Sequence, residues 1–114
     1  MGKTSGPSKS ELLKGTLDML ILQTLTVQPL HGYAIAQRIH QLSREELSVE
    51  EGSLYPALQK LLVKGWVKAA WRESDSGRQV REYRITASGR RQLETEMAEY
   101  RRTATAIGWL LEES

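Results

Sequence analysis

The chain has 114 residues, a length that corresponds to one domain. It contains no cysteine, which excludes disulfide bonds, thiolate metal sites and cysteine nucleophiles. Sixteen Lys and Arg residues against fourteen Asp and Glu residues give a net charge of +2, a total that indicates no particular partner. The chain shows no secretory signal, and its most apolar stretch, residues 12–27, is too short to span a bilayer. We therefore expect a cytoplasmic protein with no membrane association.

Helical patterns dominate the first half of the chain. Residues 1–7 are small and polar and are predicted to form a mobile arm. The first helix is predicted at residues 9–26, after a capping box and before Pro29, which ends it. The second helix is predicted at residues 33–42, with Tyr33 on its buried side.

The third helix has two candidate starts. Ser48 opens a capping box, but a helix begun there would hold Pro56 in its interior, where proline removes an intrahelical hydrogen bond. Ser53 as the N-cap would put Pro56 in the first turn, where its missing N–H has no cost. Both starts lead to a helix that ends at Lys64, with Gly65 as its C-terminal stop.

After this helix the apolar period changes from that of a helix to that of a strand. Apolar and polar residues alternate at 67–72 and at 80–86, and the turn formers at 73–78 predict a β-hairpin with a long tip. Thr86 can cap a last helix at residues 87–112. Six apolar residues of that helix follow a heptad spacing. They are Leu93, Met97, Tyr100, Ala104, Ile107 and Leu111.

Three helices followed by a two-stranded wing form the winged helix-turn-helix plan, a mostly α fold with a small β-hairpin. Residues 8–86 are predicted to form this domain. Residues 87–114 lie outside it, and an apolar seam on a helix is most simply buried by a second copy of that helix. The alternative is a helix that folds back on its own domain. Trp109 lies off the seam and is expected to pack against the first helix of either subunit.

The charge is segregated along the sequence. Residues 60–91 hold nine basic and three acidic residues, a net charge of +6, whereas the rest of the chain has −4. Such a block is typical of a phosphate-binding surface, and the alternative is a solvated hairpin and helix end. In the third helix four leucines form one side, so small and hydrogen-bonding residues on the opposite side can reach base edges. That side carries Ser53, Pro56, Gln59, Lys60 and Val63, with Tyr55 and Lys64 at its margins.

The sequence contains no pattern of a catalytic or metal site. His31 and His40 are nine residues apart without a third ligand at metal spacing, and His31 is expected to help start the second helix. No phosphate loop, dinucleotide fingerprint or nucleophile elbow occurs. We therefore expect no enzymatic activity, no cofactor and no metal.

Several segments resemble the PadR family of bacterial transcriptional regulators. They are GTLDMLILQTL at 15–25, LHGYAIAQRI at 30–39, GSLYPALQKLLVKGWV at 52–67, WRESDSGR at 71–78 and YRITASGR at 83–90. The resemblance extends over about residues 12–112, and the segments occur in family order. It implies a homodimeric regulator, in the first place a repressor, in which each winged helix reads half of a palindromic site in double-stranded DNA.

The resemblance also assigns DNA-binding residues by matched position. Ser53, Tyr55 and Pro56 correspond to the start of the recognition helix. Gly77 and Arg78 correspond to the wing tip, which is placed at the adjacent minor groove or its phosphates. The expected DNA-binding set is completed by Gln59, Lys60, Lys64, Lys68 and Arg81.

In the family the first and last helices build the dimer interface, which here adds Leu13 and Leu17 to the seam. Tyr100 precedes two arginines, as an aromatic residue does in the family, with tyrosine where tryptophan is common. Two interpretations of Tyr100 stay open: a small aromatic effector bound between it and its symmetry mate, or an ordinary packed tyrosine. The alternative to the regulator as a whole is a winged-helix module that binds protein instead of DNA.

Overall fold

The computed structural model describes residues 16–112. Within this range the chain forms four α-helices and a three-stranded antiparallel sheet. The elements in order are α1 (Leu17–Leu25), β1 (Leu30–His31), α2 (Gly32–Leu42), α3 (Glu51–Lys64), β2 (Val67–Glu73), β3 (Gln79–Ile85) and α4 (Ala87–Glu112). The predicted mostly α fold with a small β-hairpin is confirmed. The predicted arm, the first part of the predicted first helix and Leu13 lie outside the described residues.

Aliphatic side chains from α1, α2 and α3 form the core, which the base of the wing and the start of α4 close. The buried residues are Leu17, Ile21, Leu22, Leu25, Ile35, Ile39, Leu54, Leu58, Leu61, Val67, Tyr83 and Leu93. In α2 the buried stripe runs through Gly32, Ile35 and Ile39. Tyr33 is therefore about 100° away from this stripe and is 59% exposed, so its predicted burial is wrong.

The helix α3 begins at Glu51, between the two predicted starts, and neither prediction is correct. The carbonyl of Glu50 accepts the first bonds of the helix, and Pro56 is its sixth residue. This interior proline leaves the carbonyl of Gly52 without its helical donor, and Gly52 lies at the exposed surface, where water can replace that donor. The predicted end is confirmed, because Gly65 adopts a left-handed φ of 77° directly after Lys64.

The predicted hairpin is confirmed, and the sheet contains one strand more than the sequence indicates. The strands β2 and β3 pair in register from Val67 opposite Ile85 to Glu73 opposite Gln79. The additional strand β1 pairs with the other edge of β3, with Leu30 opposite Tyr83. A strand of two residues has no alternation to detect, which is why the sequence predicts only a two-stranded wing.

Thr86 caps α4 as predicted and also joins it to the end of α3. Its hydroxyl accepts a hydrogen bond from the backbone N–H of Gly89 at 2.9 Å and donates one to the carbonyl of Gly65 at 2.7 Å. Its own N–H donates to the carbonyl of Trp66 at 3.1 Å. Gly89 packs directly on this junction, because a Cβ there would overlap the Trp66 carbonyl and lie 2.9 Å from Cγ1 of Ile85.

The helix α4 packs on α1 over its first turns only. Leu93 is buried and Met97 is half-buried, whereas every residue from 98 to 112 except Gly108 is exposed. Within the described residues this half of the helix does not fold back on its own domain. No helix in residues 16–112 is both long and apolar enough to cross a membrane.

The close packing at Gly89 generates a stability prediction. We expect Gly89→Ala to lower the free energy of unfolding by about 1–3 kcal/mol, because the new methyl group overpacks the junction. Urea denaturation measures the change. Gly52→Ala is the matched control: a Cβ there meets no atom within 4 Å, so its free energy of unfolding should not fall. Equal losses in both variants would contradict the packing at Gly89.

Candidate nucleic-acid interface

The exposed side of α3 carries the residues that the sequence predicts for DNA contact. Leu54, Leu58 and Leu61 are buried on the opposite side of the helix. The exposed residues are Tyr55, Pro56, Gln59, Lys60, Val63 and Lys64, and Ser53 is half-buried. The helix therefore presents an exposed surface of polar and apolar side chains, and its contact with DNA stays a prediction.

Tyr55 is held in place by the backbone of α2. Gly32 has no side chain, and a Cβ at this position would lie 2.8 Å from both the hydroxyl and Cε1 of the tyrosine ring. Burial of the phenol, together with the nearby groups of Glu51 and Tyr83, raises the pKa of Tyr55. The raised pKa keeps the hydroxyl protonated to higher pH than an ordinary tyrosine, so it is available as a hydrogen-bond donor.

The two lysines of this helix have different neighbours. The Nζ of Lys60 lies 2.7 Å from a carboxylate oxygen of Asp18 on α1. The Lys60 side chain is 53% exposed whereas that of Asp18 is only 18% exposed, so the ammonium is reached by solvent while the carboxylate is largely covered. The ammonium of Lys64 lies 5.4 Å from the ring centre of Trp66.

The wing has one face with paired arginines and another with unpaired ones. Arg72 and Arg84 lie 3.1 and 3.8 Å from the same carboxylate oxygen of Glu82. Among the described residues, Arg78 and Arg81 form no such ion pair. Arg81 instead lies with its guanidinium 5.8 Å from the ring centre of Tyr83.

The wing tip is built by a turn over residues 74–78. Gly77 has a left-handed φ of 84°, which favours glycine, and its N–H donates to the carbonyl of Ser74 at 2.9 Å. The N–H of Arg78 donates to the Ser74 hydroxyl at 3.2 Å. The turn therefore exposes Arg78 at the tip, at the place where the resemblance puts it, and Lys68 is exposed near the base of the wing.

A groove of about 560 Å³ separates the wing from the helices. None of the described residues that line it is acidic, and its aromatic and basic lining residues are His31, Tyr33, Tyr55, Trp71, Arg78, Arg81 and Tyr83. The sequence does not indicate Tyr33 or Trp71 as binding residues, because both fit an apolar face at the period of their element. The exposed Trp71 side chain shows that the apolar face of β2 extends past the helices that cover its base. We call this feature the wing groove.

The two histidines have local structural roles. The Nδ1 of His31 accepts a hydrogen bond from the N–H of Ala34 at 3.4 Å, which confirms that His31 helps to start α2. The Nδ1–H of His40 donates to the carbonyl of Leu47 at 2.9 Å. In residues 16–112 no group of three or more potential ligands is placed to hold a metal ion.

The predicted dimer residues divide into two groups. Leu17 and Leu93 are each only 5% exposed because they belong to the core of the single chain, and their assignment to the interface stays a prediction. The remaining seam residues beyond Met97 are exposed: Tyr100, Ala104, Ile107 and Leu111. Trp109 is 66% exposed and does not pack on α1 of its own chain, which leaves packing on a partner as a prediction.

Tyr100 lies between two grooves that separate α1 from α4. The first, of about 330 Å³, is lined by Met19, Leu20, Gln23, Met97, Tyr100 and Arg101. The second, of about 400 Å³, is polar, and its lining includes Asp18, Glu96 and Glu99. The ring of Tyr100 is 52% exposed, so the structure offers space beside it, and a bound effector there stays a prediction.

An exposed helix side on α3 beside a basic two-stranded wing, on a core of three helices, defines a winged helix-turn-helix protein. Residues 21–95 match the family described as transcriptional regulator, PadR-like. The chain belongs to this family of transcriptional regulators, a class of DNA-binding proteins.

Comparisons over nearly the whole chain agree with this assignment. A transcriptional regulator from Clostridium thermocellum is 26% identical with a TM-score of 0.79, over 86% of this chain and 95% of that one. A PadR family regulator from Eggerthella lenta is 32% identical with a TM-score of 0.76, over 91% and 88% of the two chains. Protein X of Lysinibacillus sphaericus is 27% identical over 104 residues, which are 91% of this chain and 95% of that protein.

The contact between Gly32 and Tyr55 generates a prediction about DNA binding. We expect Gly32→Ala to weaken binding to duplex DNA roughly tenfold, because the new methyl group displaces the tyrosine hydroxyl from its position. Fluorescence anisotropy with a labelled duplex measures the dissociation constant.

A double-mutant cycle provides the control for this prediction. Tyr55→Ala removes the ring, so adding Gly32→Ala to it should cost no further affinity. Additive losses in the double variant would show that Gly32 acts on DNA binding by a route other than Tyr55.

Proposed function

We propose that the protein is a homodimeric repressor that binds a palindromic DNA operator and is released by a small effector. The observation that carries this proposal is the exposed side of α3 beside Arg78 and Arg81, the wing arginines that have no carboxylate partner within residues 16–112. In this arrangement α3 enters the major groove, where its side chains reach base edges. Arg78 at the wing tip enters the adjacent minor groove, where a guanidinium is favoured by the negative potential.

The exposed half of α4 supports the dimer. Its large apolar side chains at Ile107, Trp109, Leu110 and Leu111 are 50–69% exposed, and within residues 16–112 nothing covers them. A second copy of the same helix would bury the seam side of this surface. A two-fold axis that runs between two parallel copies of α4 would present both α3 helices to the same face of DNA. DNA half-sites one helical turn apart would match this arrangement most simply.

The position of Tyr100 supports control by an effector. The grooves on both sides of its ring separate α1 from α4, and α4 is the helix that we propose to join the two protomers. A ligand that wedges these helices apart would change the distance between the two recognition helices. Binding to both half-sites would then weaken, and a promoter blocked by the dimer would become accessible to polymerase.

Charge removal at the proposed interface tests DNA binding. We expect Lys60→Gln and Arg78→Gln each to weaken binding and to make the slope of log K against log salt shallower by about 0.9, the effect of one lost phosphate contact. The measurement is a salt series of anisotropy titrations. Arg102→Gln is the control, because Arg102 is exposed on α4 away from α3 and the wing, and its slope should be unchanged.

Substitution of Asp18, the partner of Lys60, should have the opposite effect on DNA affinity. Asp18→Asn removes the carboxylate that holds the ammonium, so we expect slightly tighter DNA binding than in the unchanged protein. Unchanged salt slopes for both Lys60→Gln and Arg78→Gln would contradict DNA binding through this surface and favour a module that binds protein.

Charges in the seam of α4 test the dimer. We expect Ile107→Glu together with Leu111→Glu to give monomers by multi-angle light scattering, because two buried carboxylates would face their symmetry mates. Thr105→Glu together with Ala106→Glu adds the same charge at exposed positions beside the seam and should leave the dimer intact. A dimer that survives the seam variant would contradict the proposed role of α4.

A further inference from the structure

The wing groove combines three exposed aromatic side chains with two arginines. Tyr33 at the start of α2 is 59% exposed, Tyr55 on α3 is 44% exposed and Trp71 on β2 is 67% exposed. Arg78 and Arg81 line the same groove. Exposed aromatic rings are unfavourable in water, so a groove that gathers three of them indicates a surface that a partner covers.

The polar groups that line the wing groove include many hydrogen-bond donors, and two of them, the guanidinium groups of Arg78 and Arg81, carry a positive charge. The phenols of Tyr33 and Tyr55, the indole N–H of Trp71 and both guanidinium groups can donate, and no described lining residue is a carboxylate. The groove beside Thr16 and Tyr100 differs, because its lining includes three carboxylates. The wing groove therefore suits an occupant that has both anionic oxygens and an apolar surface.

The pairing of the wing strands shows why Trp71 and Arg81 face this groove. Trp71 lies opposite Arg81 in the sheet, and Ala69 lies opposite Tyr83, so these four residues share one face. Glu82, which pairs with Arg72 and Arg84, lies on the other face of the wing. The guanidinium of Arg81 is thus free of that carboxylate and is available inside the groove.

The location of the wing groove identifies its occupant. One edge of the groove is Tyr55 on the proposed major-groove helix, and the other edge is the wing tip, which we place at the adjacent minor groove. Adjacent major and minor grooves of a duplex are separated by a single sugar-phosphate strand. This strand must therefore pass between α3 and the wing tip, where the wing groove lies.

We propose that the wing groove holds one sugar-phosphate strand of the operator, with Trp71 packed against a deoxyribose and Arg81 on a neighbouring phosphate. Deoxyribose supplies the apolar surface and phosphate the anionic oxygens that the groove requires. An indole ring suits this contact because it offers a large area and has few rotatable bonds. The inference rests on the proposed function and adds Trp71, Tyr33 and Arg81 as a clamp on the DNA backbone.

The first test uses a 30-base-pair duplex enriched by the protein from a random pool. We expect Trp71→Ala to weaken binding about tenfold with an unchanged salt slope, because the lost contact is not ionic. Arg81→Gln should instead make the slope shallower by about 0.9. Leu42→Ala is the control: Leu42 is 60% exposed, does not line the wing groove and should bind DNA as before.

The second test measures directly whether the Trp71 ring contacts the bound duplex. In a variant with Trp66→Phe and Trp109→Phe, Trp71 is the only tryptophan, and its emission should shift to shorter wavelength and be quenched when the duplex binds. Trp71→Phe should lie between the unchanged protein and Trp71→Ala in affinity, since it retains part of the ring.

Different results would contradict the clamp on the DNA backbone and the DNA-binding regulator. Full affinity in Trp71→Ala with unchanged Trp71 emission would overturn the clamp, while weakened binding in Lys60→Gln and Arg78→Gln would leave the regulator in place. Trp71 emission that responds to a free mononucleotide or an aromatic carboxylate but not to the duplex would assign the groove to a small anion and overturn the clamp. Failure to enrich any duplex would overturn both proposals.

Discussion

The helix α3, the wing and α4 meet at Thr86, whose three hydrogen bonds link them to one another. Its hydroxyl donates to the carbonyl of Gly65, just after α3, and accepts from the N–H of Gly89 in α4. Its backbone N–H donates to the carbonyl of Trp66 at the base of the wing. The left-handed Gly65 brings these groups together, because it turns the chain out of α3 directly into β2. A rotation of α4 about this junction would therefore move the recognition helix and the wing relative to any partner protomer.

The surface charge is unevenly distributed, although the net charge of the chain is only +2. Although the block from residue 60 to 91 carries +6, Glu82 pairs with Arg72 and Arg84 on one face of the wing, and Asp18 pairs with Lys60. Each of these pairs lowers the local positive potential. The other basic residues of the block have no carboxylate partner among the described residues, and their charge extends from the end of α3 over the wing to the start of α4. They are Lys64, Lys68, Arg78, Arg81, Arg90 and Arg91.

Most of the fold could be predicted from the sequence wherever one local rule decides the structure. Gly65 ends α3 and Thr86 begins α4 as predicted, because a left-handed stop and a side-chain cap depend on one or two residues. The start of α3 could not be predicted, since an exposed Gly52 carbonyl makes an interior Pro56 tolerable, and exposure is a tertiary property.

The candidate sites, too, depend on tertiary packing that the sequence pattern does not show. Leu93 shares the apolar spacing of the exposed seam, and the resemblance placed Leu17 beside it, but only the packing of α1 on α4 shows that both lie in the core of one chain. The sequence did not indicate Trp71 as a candidate binding residue, for the converse reason. The strand period gives it an apolar face, but the length of β2 carries that face beyond the helices and into the wing groove. Periodicity identifies a face, and the tertiary structure decides what covers it.

We propose that two winged helices, joined through α4, read one symmetric DNA site. Selection of bound duplexes from a random pool by the purified protein, followed by sequencing, tests this proposal. We expect an inverted repeat whose half-site centres are about 10 base pairs apart, or a multiple of that distance. Enrichment of a single asymmetric site, or of no sequence at all, would contradict it.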